Sequence, residues 1–450
     1  MSKSLTTLIG FGLIVDSREI SMMRILILSL VLSAAGSASA YDAMYERAPI
    51  NYPTVQPADP IAQFQKQINS GQLKLDYDAR FGYLPAVLKA LNVPVSSQTL
   101  VFSKTSFQRD LISPERPRAL YFNDSVYIGY CQGGEVLEIS STDPKNGPIF
   151  YSLRQKDALK PKFIRQTDAC LQCHATSMTG DLPGHILRSV YPDHDGQPIL
   201  SAGTFRTNPS SPLSQRWGGW YVTGSTGTQK HMGNMVASDK DAPEKTDFTA
   251  GANWQSLKER IETSAYLSPH SDVVALMVLE HQLQVHNMIT RCNFLTRSAC
   301  HDANELNKAL GRPVGFKSDS TISRIKNAAE PLVKALLFCE EAPLTDKVTG
   351  TSAFAKEFAE RGPRDSGGRS LREFDLSTRL FKYPCSYLIH SDAIDALPAE
   401  AQERVWQRLY EVLGGKDTSK EFSHLSEADR KAILEILVGT RKGLPEWFKN

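Results

Sequence analysis

Hydrophobic and polar positions change rhythm twice along this chain. Residues 61–71 (IAQFQKQINSG) and 83–93 (YLPAVLKALNV) space their apolar side chains three and four apart. That spacing predicts two short helices, the first stopped by Gly71 and the second followed by Pro94. From 98 to 153 the period shortens into β-rich runs at 98–103, 119–122, 126–131, 136–140 and 149–153. Asn123-Asp124, Gly133-Gly134 and the turn from Asp143 to Gly147 separate them, which predicts an antiparallel sheet or small sandwich. Residues 185–191 and 198–205 flank Asp193-His194-Asp195-Gly196 and predict a hairpin, and 217–222 (WGGWYV) adds another strand. Residues 236–253 are polar and turn-rich, and beyond them the texture is helical. A run apolar on all sides follows Ser268-Pro269, and 322–338 carries an internal Pro331 that should bend or split it. A further helix opens at Pro398 and ends at Gly414-Gly415. The last begins with a capping-box-like Ser426-Glu427-Ala428-Asp429 and stops near Gly443.

The fold class expected is therefore α+β, with a β-rich domain over 41–240 followed by a mainly helical domain over 254–450. Residues 1–40 read differently. Met22-Met23-Arg24 leads into an apolar run from Ile25 to Ala35 and then Gly36-Ser37-Ala38-Ser39-Ala40. A basic start, a short apolar stretch and an A-x-A site are the features of a signal peptide. Met22 and Met23 are candidate true starts, and whichever start is used the mature chain is expected to begin near Tyr41. Residues 41–60, rich in Pro and Tyr, read as an extended arm. No later stretch approaches the length of a membrane-spanning helix, so no transmembrane segment is expected after signal removal. The expected localisation is periplasmic or otherwise exported.

Composition narrows the choice of partner. Without residues 1–40 the chain loses Lys3, Arg18, Arg24, Asp16 and Glu19, leaving 48 basic and 47 acidic residues. That balance gives no electrostatic case for nucleic acid. Seven cysteines are present, and five lie outside the segment discussed next: Cys131, Cys292, Cys300, Cys339 and Cys385. Cys292 and Cys300 are the favoured disulfide pair, on condition that a turn separates them.

The chemistry concentrates at Cys170-Leu171-Gln172-Cys173-His174, a C-x-x-C-H. Two thiols three positions apart can form thioethers with the two vinyl groups of one porphyrin, and the adjacent imidazole supplies an axial nitrogen to its iron. With 7 Cys and 10 His in 450 residues, chance would produce this pattern about 0.002 times per chain. A zinc site would need a second ligand pair, and no other C-x-x-C exists. A redox dithiol belongs at a strand-to-helix junction with Trp or Pro nearby, which this segment lacks. The expected cofactor is one covalently attached haem c, held by Cys170 and Cys173 with His174 as proximal iron ligand.

For the distal position, His185 stands eleven residues after His174, behind Pro183-Gly184. Met232 is the alternative, 58 residues beyond His174, with Met235 close by. An open distal position would favour catalysis or gas binding. Arg188, Arg206 and Arg216 could meet the haem propionates, and Tyr121, Phe122, Tyr127, Tyr130, Phe150 and Tyr151 could wall a haem pocket or form ordinary sheet core. His281 and His286 are five apart, about 140° around a helix, so they do not share a metal-binding face.

At Cys170–His174 the chain resembles c-type cytochromes. The stretches SQTLVFSKTS, PRALYFNDSVYIGY and SQRWGGWYVTG are similar to those of large secreted bacterial monohaem cytochrome c-domain proteins. β sequence on both sides of the motif argues against a lone class I cytochrome c fold, in which the motif lies on an N-terminal helix. The resemblance implies covalent haem and one-electron transfer with a redox partner protein. The rival readings are a haem-dependent oxidoreductase or peroxidase-like enzyme with an open distal face, and a haem-based sensor or binding protein. No catalytic residue beyond the haem is assigned.

Overall fold

A computed structural model describes residues 43–448. The signal-like segment, residues 1–40, lies outside them. The fold is α+β, with an antiparallel sheet in the N-terminal half and a mainly helical C-terminal half. Helices α1 (Pro60–Ser70) and α2 (Leu84–Ala90) fall where the apolar spacing places them. Asp59 caps α1 by accepting from the Ile61 and Ala62 amides, and Gly71 ends it in the left-handed conformation.

Seven strands follow: β1 (Thr99–Val101), β2 (Arg118–Phe122), β3 (Val126–Tyr130), β4 (Val136–Asp143), β5 (Gly147–Arg154), β6 (Phe163–Arg165) and, later, β9 (Trp220–Tyr221). They form one antiparallel sheet in the order β6-β5-β4-β3-β2-β1-β9. The expected hairpin after the C-x-x-C-H is β7 (Arg188–Val190) against β8 (Thr204–Arg206), with Ser189 opposite Phe205. The segment from Tyr45 onward is packed rather than a free arm. Tyr52 is fully buried and donates to the Pro148 carbonyl, while Arg165 donates to the carbonyls of Tyr52 and Val55. Its aromatics cover the β5–β6 edge of the sheet, a tertiary contact that local composition does not encode.

The helical half is organised by α4 (Val273–Ala309), 37 residues long, or about 55 Å. Almost every side chain from Val273 to Cys292 is buried, as an all-round apolar helix requires. It packs on β5 and against α5 (Asp319–Leu336) and α8 (Ala399–Leu413). Pro331 neither splits nor ends α5, which continues to Leu336. The closing helix, α9 (Glu427–Thr440), starts with a reciprocal capping box between Ser426 and Asp429. Cys292 and Cys300 both lie on α4 with no turn between them, about 12 Å apart along the axis, and all seven cysteines are free thiols. The expected disulfide is therefore excluded.

The strand-rich and helical parts share one core. Phe122, Tyr127, Leu187 and Trp217 lie in the same apolar cluster as Leu276, Leu332, Phe381 and Leu409. Among the described residues no helix is long and apolar enough to cross a membrane.

The start of α4 differs from the Ser268-Pro269 expectation. Its cap is the fully buried Asp272, whose Oδ1 accepts from Val274 and Ala275 while Oδ2 accepts from the amides of Thr351 and Ser352 and the Ser352 hydroxyl. One carboxylate thus fixes the helix start and a loop 80 residues on. Asp272→Ala is expected to cost about 2–4 kcal/mol, from a lost cap and several stranded buried amides. Urea unfolding measures this, and a cost within a few tenths of a kcal/mol would refute the role.

Candidate functional site: the C-x-x-C-H turn and its histidine neighbours

Edge strand β6 delivers the chain to a single helical turn, α3 (Leu171–His174), with Cys170 as its leading residue; the motif thus does stand at a strand-to-helix junction, against the sequence-based expectation. The amides of Cys173 and His174 both bond back to the Cys170 carbonyl, at 3.2 and 2.9 Å. In that geometry positions i, i+3 and i+4 share a side, so Cys170, Cys173 and His174 face the same way. Leu171 is buried and anchors the turn, whereas Cys170 is half-buried and Cys173 exposed.

The return path closes tightly. Thr176 and Thr179 cap one another, and the Gly184 amide donates to the His174 carbonyl at 2.8 Å. Gly184 is required here by space, because a Cβ would lie 2.9 Å from both Asn287 Oδ1 and Thr179 Cβ. Its own carbonyl takes the His174 Nδ1 proton at 2.9 Å. Nε2 of His174 makes no hydrogen bond among the described residues. Burial, the largest effect, holds the His174 pKa below its usual value; the Gly184 bond opposes this and Arg118 adds to it. The ring is neutral at pH 7, protonated on Nδ1, with the Nε2 lone pair available. A backbone acceptor on the remote nitrogen is the usual way to orient a metal-binding imidazole.

A rib of three side chains across the sheet supports this turn. Tyr127 on β3 pairs with Ser140 on β4, which pairs with Phe150 on β5. The Phe150 ring centroid lies 4.7 Å from that of His174 and 6.2 Å from that of His185. His185 is buried, with Nε2 2.8 Å from Ser140 Oγ and its ring 4.6 Å from Tyr127. Its Nδ1 is buried with no hydrogen-bond partner among the described residues. Burial drives the His185 pKa well below normal, and His286 and His174 push it further down.

Helix α4 completes the surround. Asn287 accepts from the His185 amide and donates to the His185 carbonyl, both at 2.8 Å, as a strand neighbour would. His286 Nδ1 receives the Tyr127 hydroxyl at 2.9 Å, and that hydroxyl in turn receives Gln282 Nε2. His281 instead bonds Ser386 and stacks on Phe338, so the two histidines serve different neighbours.

The other expected site residues are placed less centrally. Met232 is buried and its sulfur accepts from Ser189 Oγ at 3.6 Å. Arg206 donates to the Met178 carbonyl and so props the loop after the motif. Arg216 is committed to a buried ion pair with Glu280 at 2.8 Å and to the carbonyls of Pro209 and Ser211. Phe150 and Tyr127 are the two aromatics, of the six picked out in the sequence, that touch the histidines. Asn287 carries no local signal, because its partner is 102 residues away.

The surroundings of Cys170 differ from those of a redox dithiol's nucleophile. Burial pushes Cys170 up to about 11, with Glu138 and Cys173 adding to the rise. Disulfide exchange works through a depressed thiol pKa. Among the described residues no group of three or more His, Cys, Asp or Glu side chains is placed to hold a metal ion. Compared with models of known protein families, with curated proteins and with solved structures, the chain matches none.

Proposed function

We propose that this chain is an exported, periplasmic monohaem c-type protein that transfers single electrons. One observation carries the reading: in the C-x-x-C-H turn both cysteines are free, and His174 is fixed by Gly184 with its Nε2 lone pair left over. Cys170 and Cys173 would hold the porphyrin, and His174 would bind its iron. When bound, the group supplies an Fe(III)/Fe(II) couple.

The chain's own contribution is orientation and electrostatics. Gly184 fixes the His174 tautomer, and Phe150 restrains the ring. Of the two distal candidates His185 is preferred, since its Nδ1 lacks a partner whereas the Met232 sulfur has Ser189. A second reading, a haem-dependent oxidoreductase with an open distal position, is favoured by the same residue's restraints. Ser140 and the Asn287 amide hold His185 from three directions, which limits any movement toward an iron.

The test is co-production with the haem-ligation machinery. The expected result is one haem per chain that resists acid-acetone extraction, with a low-spin spectrum unaffected by CO. A reduced form that binds CO would support the oxidoreductase. Colourless protein, or pigment released into acid-acetone, would overturn both readings.

A further inference from the structure

Away from the C-x-x-C-H turn, a cavity of about 210 Å³ opens beside the β2–β3 turn, lined also by the loop around 361–363 and by the Tyr387–Ser391 segment. That volume is the liquid share of about seven waters. Three of its lining residues have a buried polar atom without a hydrogen-bond partner among the described residues: Arg361 Nε, Arg372 Nη1 and Ser391 Oγ. All three atoms are hydrogen-bond donors. Orphaned donors gathered round one cavity call for an acceptor.

The charges agree. Arg372 is 6% exposed, ion-paired with Asp124, and stacked on Tyr387 and Phe358 at 4.2 and 4.6 Å. Arg361 sits over the Phe358 ring at 5.5 Å, and its guanidinium makes no hydrogen bond or ion pair among the described residues. Burial lowers its pKa and Arg372 adds to the fall, while Asp124 and Glu357 oppose it. His390, also in the wall, is held neutral by burial and by Arg441 and Arg372, with its pKa pushed down to about 4. Among the lining residues two guanidiniums stand against one carboxylate, with Glu357 acting on Arg361 from outside the wall. Gly362, at φ +84°, lets the backbone close on the site, since a Cβ there would lie 2.8 Å from Arg372 Nε. The remaining wall is apolar, from Pro363, Leu371 and Leu388.

We propose that this cavity binds a small organic monocarboxylate, with its anionic head between Arg361 and Arg372 and its body against Leu371 and Leu388. A monoanion matches the lining's two guanidiniums and one carboxylate, whereas a phosphate dianion exceeds that charge. The apolar wall favours an acid with a carbon body over a simple halide.

Titration calorimetry of the full chain with propionate, butyrate and benzoate tests the assignment, with inorganic phosphate and chloride as competitors. Saturable binding near millimolar or tighter is expected for at least one monocarboxylate. Arg361→Gln should weaken it about tenfold or more, by loss of a hydrogen bond to a charged group. That variant should fold as the parent does, because Arg361 has no ion pair to lose; Ser391→Ala gives a second, uncharged probe of the same site. The assignment is overturned if no monocarboxylate saturates, if phosphate or chloride binds more tightly than all three, or if Arg361→Gln binds unchanged. Heat of binding is read whether or not the protein is pigmented, so failure of the haem reading leaves this test intact.

Discussion

Replacing Cys170 and Cys173 together with Ala is expected to give a colourless but folded protein after co-production with the ligation machinery. Neither thiol makes a hydrogen bond among the described residues, and Cys173 faces solvent. The double change should therefore cost no more than about 1 kcal/mol, as for substitutions outside a tightly packed core. Loss of colour with retained stability separates attachment chemistry from folding. The histidines should respond differently. His174→Ala keeps both thiols but removes the free Nε2, so any pigment retained should be high-spin. His185→Ala has two consequences that can be read apart. It removes the Ser140 bond and the ring packed on Tyr127, a loss of about 2–4 kcal/mol. It also turns the iron high-spin if His185 is the distal ligand. Destabilisation with an unchanged spectrum would remove His185 from the iron site and leave it a structural role. Should the double cysteine variant keep covalent colour, the attachment assignment fails.

Acid should unfold this protein steeply, and the buried histidines set the direction. His231, His286 and His390 are pushed down to about 4, His281 to about 3, and His185 well below normal, in each case chiefly by burial. Each is neutral when folded and takes up a proton near pH 6.5 once unfolded. The unfolded state then binds more protons between about pH 6.5 and 4, so these groups lower stability as pH falls through that window. Glu280 and Glu341 act oppositely. Burial raises both to about 7 against their Arg216 attraction, so the folded state holds their protons and gains stability as pH falls from 7 toward 4.5. Five histidines against two carboxyls leave a net uptake of about three protons on unfolding. That corresponds to a loss of about 4 kcal/mol per pH unit below pH 6. Urea unfolding at pH 7, 6 and 5 measures the slope, and stability that is flat or rising toward pH 5 would contradict it. Haem bound through His185 would take that residue out of the sum and shallow the slope.

The elements of this fold were legible where their causes are local. Strands at 119–122, 126–131 and 149–153 announced themselves by β-branched and aromatic runs between turn residues, and α9 by its capping box. The C-x-x-C-H pattern at 170–174 was legible because it lies within five consecutive residues. What escaped depends on distant partners. The Tyr45–Pro57 segment looks like a linker until Pro148 and Arg165 are placed beside it. Asp272 looks like one acidic residue among many until Thr351 and Ser352 converge on it. Gly184 reads as a turn residue, yet its carbonyl chooses the tautomer of His174. Cys292 and Cys300 failed as a pair for one reason: the helix that holds them does not turn.

The amide clamp of Asn287 on His185 limits how the molecule can be divided. A fragment ending near residue 240 would keep the whole cysteine pentapeptide but lose both bonds to the His185 peptide and the imidazole that receives the Tyr127 proton. The shortest piece able to present that pentapeptide in its native shape must extend through residue 287, and so cannot be trimmed at the change in sequence texture.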